Sequence, residues 1–172
     1  MNDFLVHWAT FLFMVGLLLS LPLGAVFYLN NPHVKQFFTN ARKLKAAHLD
    51  FILQAFSIGL VLLVELATLA KLPLYAVIPL AFGTFCNPFI FLLEATPLYQ
   101  TGFTKTLYRV LRAASPTALF FAWSALAFQL MPAFVSWLLL AFMLLLVTAF
   151  LITRLKTKEE GGEKIASSKT SI

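Results

Sequence analysis

The chain has 172 residues, of which 60% are hydrophobic and only 12% charged, and it carries 19 phenylalanines. A soluble domain would be about 25% charged, so this composition excludes one and indicates an integral membrane protein whose first partner is the lipid bilayer. The formal charge of +6 sits in loops and in the tail, where it serves as a topology signal; no nucleic-acid partner is expected.

The first apolar run, from Phe4 to Leu29, is too long for the apolar region of a cleaved signal and has no Lys or Arg before it. It is expected to be span one, with its start facing away from the cytoplasm. Pro22 and Gly24 can kink it, which membrane helices tolerate. His7 and Trp8 suit an interfacial position near its start.

Asn30 to Ala46 reads as a loop. Asn30, Asn31 and Pro32 stop the helix, and Lys35, Arg42, Lys43 and Lys45 mark the loop as cytoplasmic. An anionic-lipid contact of these residues is an alternative to a plain topology signal.

Span two, about 46–70, is the unusual one. It is apolar enough to cross a bilayer yet carries His48, Asp50, Gln54, Ser57 and Glu65. Ionisable groups in a span are costly and face a bundle interior, a cavity or a partner. With roughly 100° per residue, Asp50, Gln54, Ser57, Glu65 and Thr68 share an arc of about 80°. His48 points nearly the opposite way, or sits in the unwound entry to the helix.

Lys71, Leu72 and Pro73 form a short turn, so span three, about 74–95, lies antiparallel beside span two. It contains Pro79 and Pro88, and Pro88 leaves the Thr84 carbonyl without its usual helical donor. Gly83, Asn87 and Glu94 share one face within about 40°. Cys86 lies in this apolar run; a single cysteine excludes an internal disulfide and reads as a small buried hydrophobe. Counting back from the turn, Asp50 is expected level with Glu94, Gln54 with Ile90, Ser57 with Asn87 and Glu65 with Pro79, to about one turn. Close carboxylates at Asp50 and Glu94 would split their pKa values and supply a general acid; simple solvation of both at the interface is the other reading.

Thr96 to Ser115 is a second basic loop with Lys105, Arg109 and Arg112. Its segment Lys105 to Arg112 is amphipathic and suited to lie along the membrane surface. The apolar run from Pro116 to Ile152 is too long for one upright helix. One reading is a single tilted helix kinked at Pro132; the other is two spans with a turn near Met131 and Pro132. The second puts Arg154, Lys156 and Lys158 inside, but Thr117 to Met131 is short for a span and the turn lacks Gly, Asn or Asp. The adopted expectation is an all-α, integral membrane four-helix bundle with a long, Pro-kinked last helix, spans near 4–29, 46–70, 74–95 and 116–152. Residues 1–156 form a single domain, and 157–172 a disordered polar tail.

No P-loop, GxGxxG, HExxH, CxxC or GxSxG motif is present. Two segments nonetheless resemble the hydroxylaminobenzene mutase and styrene-oxide isomerase family of small four-span membrane proteins. Ala47-His48-Leu49-Asp50 is similar to the A-H-L-E start of span two in the mutases, and Gln54 falls where the isomerases carry an asparagine. Gly83-Thr84-Phe85-Cys86-Asn87 is similar to the mutase pattern G-T-aromatic-x-N. The resemblance covers about residues 40–152.

The resemblance implies a ferric haem b held by His48 at a subunit interface of a homotrimer, acting as a Lewis acid on an epoxide oxygen. The ring-opened cation then undergoes a 1,2-shift to an aldehyde. The direction of His48, away from the polar stripe, suits a ligand between subunits. Asn87 would position substrate, with Gln54 near it; Asp50 is the further catalytic candidate, on the carboxylate reading above rather than on the resemblance. Two departures stand out. Phe91 replaces the isomerase tyrosine and cannot donate a hydrogen bond, and Gly83 replaces an aspartate. They point to a different isomerase or mutase substrate, or to a haem-binding protein without that chemistry. The expected function is therefore a plasma-membrane isomerase or mutase for a small apolar substrate of the epoxide or arylhydroxylamine type. The alternative is a non-enzymatic membrane protein: a haem-binding or structural subunit, or a small transporter.

Overall fold

The computed structural model describes residues 2–169, with side chains for 2–149, 152 and 153. Every regular element among the described residues is helical. Helix α1 spans Asp3–Phe27, the short α2 Pro32–Phe37, α3 Ala41–Thr68, α4 Leu74–Glu94 and α5 Gly102–Leu130, with a 3-10 turn at Pro97–Gln100 before α5. Of these, α1, α3, α4 and α5 are long and apolar enough to cross a membrane. The expected four-helix membrane bundle is thus observed, and the chain is a multi-pass membrane protein.

Asparagines set three of the helix starts. The Asn2, Asn31 and Asn40 side chains accept from backbone N–H groups in the first turns of α1, α2 and α3, satisfying donors that have no partner inside the helix. The stretch expected as a loop at 30–46 therefore holds α2 and the first turn of α3. Hydropathy marks only the hydrocarbon part of a helix, whereas α3 continues into the headgroup layer with Arg42, Lys43 and Lys45 on it.

Within residues 1–130, α1 packs on α3, α3 on α4, and α4 on α5. Leu5, Leu12, Phe51, Ile58, Leu80, Ala122 and Leu126 form the buried core between them. Two glycines allow close approach. A Cβ on Gly16 would lie 2.7 Å from Ile52 Cγ1, and one on Gly83 would lie 3.1 Å from Leu119 Cα. Outside, Leu18, Leu21, Phe56, Leu63, Phe120 and Phe128 are exposed, an apolar coat far beyond what a monomer shows to water and suited to acyl chains.

The last span differs from expectation in its bounds. The fourth membrane-length helix is Gly102–Leu130, and the basic segment Lys105 to Arg112 is its first part rather than a separate surface strip. The chain leaves helical geometry at Met131 and Pro132. Proline lacks the N–H and disfavours helical geometry at the residue before it. The Pro132 carbonyl then accepts from Val135 N at 2.9 Å and opens a new helix, α6, Ala133–Lys169. Residues 131–172 form a second unit, and α6 carries an apolar run over Ala133–Ala149. Its backbone is helical through Lys169, across most of the stretch expected to be a disordered tail; 170–172 lie outside the described residues.

Candidate functional site

The register of α3 against α4 is set at their basic end. Lys43 Nζ lies 2.5 Å from Glu94 Oε2 and 5.0 Å from the centroid of the Phe91 ring. The Tyr108 hydroxyl of α5 donates to Glu94 Oε1 at 2.6 Å, and Arg112 donates to that hydroxyl at 3.3 Å. The Asn40 amide donates to the Ala95 carbonyl at 3.1 Å. Glu94 thus ties three helices together.

This corrects the expected levels. Lys43, not Asp50, meets Glu94, a shift of about two turns. Pro79 and Pro88 both lie inside α4, and each removes a ladder bond, which alters the level of every residue beyond it. The Asp50–Glu94 carboxylate pair is therefore absent. A different juxtaposition replaces it. Lys43 and Asp50 are separated by about two turns, as are Glu94 and Asn87, so Asp50 and Asn87 come to one level. The Phe51 and Phe85 rings, 6.0 Å apart, fix that level from the other side.

Asp50 and Gln54 are brought together directly: Gln54 Nε2 donates to Asp50 Oδ1 at 3.2 Å. Ser57 donates to the Gln54 carbonyl at 2.8 Å, so its hydroxyl is spent within α3. Asp50 Oδ2 is buried and, among the described residues, has no hydrogen-bond partner. Asn87 is half-buried and makes no hydrogen bond to Gln54 or Asp50. The cluster is one carboxylate oriented by an amide, with a second amide at its level and a free carboxylate oxygen. Such a group can exchange a proton with a small molecule and offer it amide donors.

His48 stands apart. Its Nδ1 lies 2.7 Å from the Gly16 carbonyl of α1, on the other side of α3 from Asp50, as helical periodicity requires. Because Gly16 has no side chain, α1 comes close enough to α3 for this bond. With Nδ1–H donated to a carbonyl, the tautomer leaves the Nε2 lone pair free, the arrangement in which a histidine binds iron. Among the described residues, no three His, Cys, Asp or Glu gather as ligands for a bare ion; a haem iron needs only one axial imidazole from the protein. The half-buried ring and the exposed Leu49 and Phe56 beside it on α3 suit a flat apolar group.

Several polar residues gain roles that sequence reading did not assign. Trp8 Nε1 donates to the Ala81 carbonyl at 3.1 Å, and Ser115 Oγ to the Gly83 carbonyl at 3.3 Å. Both acceptors lie on α4 between its prolines, although the carbonyls that Pro79 and Pro88 deprive of a donor are those of Tyr75 and Thr84. Glu65, expected beside Pro79, instead accepts from the Asn2 amide at 3.0 Å and sits at the start of α1, where a carboxylate suits the helix dipole. No local feature of the sequence marks any of the three, because each joins residues far apart in the chain.

In comparisons with known proteins, no family model matches the chain, and neither a curated protein nor a solved structure matches it.

Proposed function

We propose that the chain is a membrane-embedded isomerase or mutase for a small apolar substrate of the epoxide or arylhydroxylamine type, working in the plasma membrane as a homotrimer. The observation that carries the proposal is the buried, unpartnered Asp50 Oδ2 beside Gln54. A carboxylate within a span is a functional-site hypothesis by default, and a purely structural one would have acquired a donor.

In this reading Gln54 holds Asp50 Oδ1, so that Oδ2 faces the substrate. For an epoxide, the Asp50 carboxyl passes its proton to the ring oxygen and one C–O bond breaks. A 1,2-hydride shift moves the cation onto the carbon that bears oxygen. Return of the oxygen's proton to the carboxylate leaves the carbonyl product and the original acid. The Asn87 amide donates to the same oxygen and keeps it in place. Substrate enters sideways from the acyl chains, into which it partitions.

A haem, when bound at His48, would supply a Lewis-acidic iron. His48 and Asp50 occupy opposite sides of α3, so both serve one substrate only where a second subunit presents the other side of its own α3. That requirement is the physical case for an oligomer. A second reading, a non-enzymatic membrane protein, draws on the interhelical bonds of Trp8, Ser115 and Glu65, which suffice to hold the bundle without any chemistry.

The test is turnover of an epoxide and arylhydroxylamine panel by the purified chain, with a visible spectrum recorded after haem is supplied. Rearranged product that falls at least a hundredfold in Asp50→Asn and Asn87→Ala supports the enzyme. Full activity in Asp50→Asn removes the proposed acid. A Soret band lost in His48→Ala supports haem ligation; a band unchanged in that variant removes it.

A further inference from the structure

A second site lies at the basic end of α5, independent of the isomerase reading. A concavity of about 550 Å³ opens there, lined by Tyr99, Gln100, Lys105, Tyr108, Arg109 and Arg112. The 3-10 turn delivers Tyr99 and Gln100, and Gly102, at φ +60°, turns the chain into α5. Lys105, Arg109 and Arg112 stand at i, i+4 and i+7, on one face of the helix. Arg112 lies over the Tyr108 ring, 6.0 Å from its centroid. Among the described residues Lys105 and Arg109 have no ion-pair or hydrogen-bond partner. Glu94, the carboxylate on this network, is already held by Lys43 and Tyr108. The concavity is therefore a cup of positive charge with aromatic and amide walls, in which Lys105 and Arg109 are uncommitted and Arg112 is oriented by Tyr108.

An apolar groove adjoins it. That groove, about 740 Å³, is lined by Val110, Ala113, Ala114, Thr117, Ala118 and Phe121, and Ala113 belongs to both walls. Depth explains the change of character. The 29 residues of α5 make a helix of about 43 Å, against a hydrocarbon core of about 30 Å. The part from Ala113 to Leu130 accounts for about 27 Å and fills that core. The turns bearing Lys105, Arg109 and Arg112 then lie among headgroups, and the alanine-lined groove lies among acyl chains.

We propose that cup and groove together form a binding site for one anionic glycerophospholipid. Its phosphate is held by Lys105, Arg109 and Arg112, its ester carbonyls accept from Gln100 and Tyr99, and one acyl chain lies along Ala114, Ala118 and Phe121. Guanidinium groups suit the phosphate because their planar donors engage two oxygens at once. Small side chains on the groove leave room for a chain where larger ones would fill it.

The experiment measures the thermal midpoint of the full chain in a neutral detergent, with dioctanoyl phosphatidylglycerol, dioctanoyl phosphatidylcholine or inorganic phosphate added. Saturable stabilisation by phosphatidylglycerol, at least tenfold tighter than by phosphatidylcholine, is expected. Lys105→Gln with Arg109→Gln should weaken it at least tenfold; both residues are exposed, so the fold should tolerate the change. Lys35→Gln with Arg42→Gln removes the same charge elsewhere and should leave it unchanged. Ala118→Trp should weaken the lipid by filling the groove. Equal response to the two lipids overturns the proposal, as does equal weakening in the two charge-loss pairs. Inorganic phosphate binding as tightly as the lipid overturns the lipid assignment, and an unaltered affinity in Ala118→Trp overturns the role of the groove.

Discussion

Replacing Gly83 by alanine tests the α4–α5 contact most directly. The new Cβ would lie 2.9 Å from Leu119 Cδ1, 3.0 Å from its Cβ and 3.1 Å from its Cα. Rotation of the Leu119 side chain relieves the first of these. The other two move only with the α5 backbone, which must retreat by roughly 0.4–0.5 Å to reach ordinary contact near 3.5 Å. That retreat also stretches the Ser115 Oγ bond to the Gly83 carbonyl, already 3.3 Å long. Overpacking of this kind costs about 1–3 kcal/mol, and the better helix propensity of alanine returns about 1 kcal/mol. The net expectation is a loss of about 1 kcal/mol. Gly59 is the internal control. It lies within α3, and a Cβ there meets nothing within 4 Å, so Gly59→Ala should gain up to about 1 kcal/mol. Reversible unfolding in mixed micelles, titrated with a denaturing detergent and followed by circular dichroism, compares the two. If Gly83→Ala is as stabilising as Gly59→Ala, α5 does not rest on the α4 backbone and the bundle order is wrong.

The same titration checks the remaining expectations. Trp8→Phe deletes the donor to the Ala81 carbonyl and should cost about 0.5–1.5 kcal/mol; no loss would mean that α1 does not reach α4. Glu94→Gln keeps an acceptor for Tyr108 but discharges the contact with Lys43, which is 39% exposed. Its cost should be about 0.5–1 kcal/mol, shrinking as salt rises to screen the pair, and a cost that does not depend on salt would contradict that account. Asp50→Asn should leave stability unchanged or improved, because Oδ2 has no donor to lose and Oδ1 can still accept from Gln54. A large loss of stability in that variant would show Asp50 to be structural.

The helices and their antiparallel order were legible because span length and the short turn at Lys71, Leu72 and Pro73 are local properties. The polar face of span two was legible for the same reason: periodicity alone gathers Asp50, Gln54 and Ser57. Register was not. It depends on how far two internal prolines displace α4, a cumulative effect no single residue reports, and it moved Glu94 from Asp50 to Lys43. The division at Pro132 is poorly marked, because the stretch holds no Gly, Asn or Asp. A carbonyl of the proline itself opens α6 instead, which needs no special turn residue. Gly83 departs from an aspartate-bearing pattern, and only packing explains it. With Leu119 against its backbone, any side chain there must push α5 away, and Gly83→Asp should cost more than Gly83→Ala.

Helix α3 presents two unlike sides. Toward α1, His48 leans on a carbonyl made reachable by Gly16, and one ring nitrogen remains free. Toward α4, steps of about two turns carry the chain from Lys43 to Asp50 to Ser57, opposite Glu94, Asn87 and Leu80 in turn. The first pairing is an ion pair near the headgroups, the second a carboxylate with an amide, the third a self-satisfied hydroxyl against an apolar residue. Polarity falls with depth as the cost of burying it rises. One atom breaks the gradation. Asp50 Oδ2 is buried at the middle step with no donor, although Gln54 has already been recruited to its neighbour. Packing alone would favour leucine at that position, since an unpaired buried oxygen costs about 1–3 kcal/mol. In the proposed reading that oxygen carries the proton passed to substrate, and an Asp50→Asn variant that folds well but rearranges nothing would support that role, whereas one that rearranges substrate at the full rate would refute it.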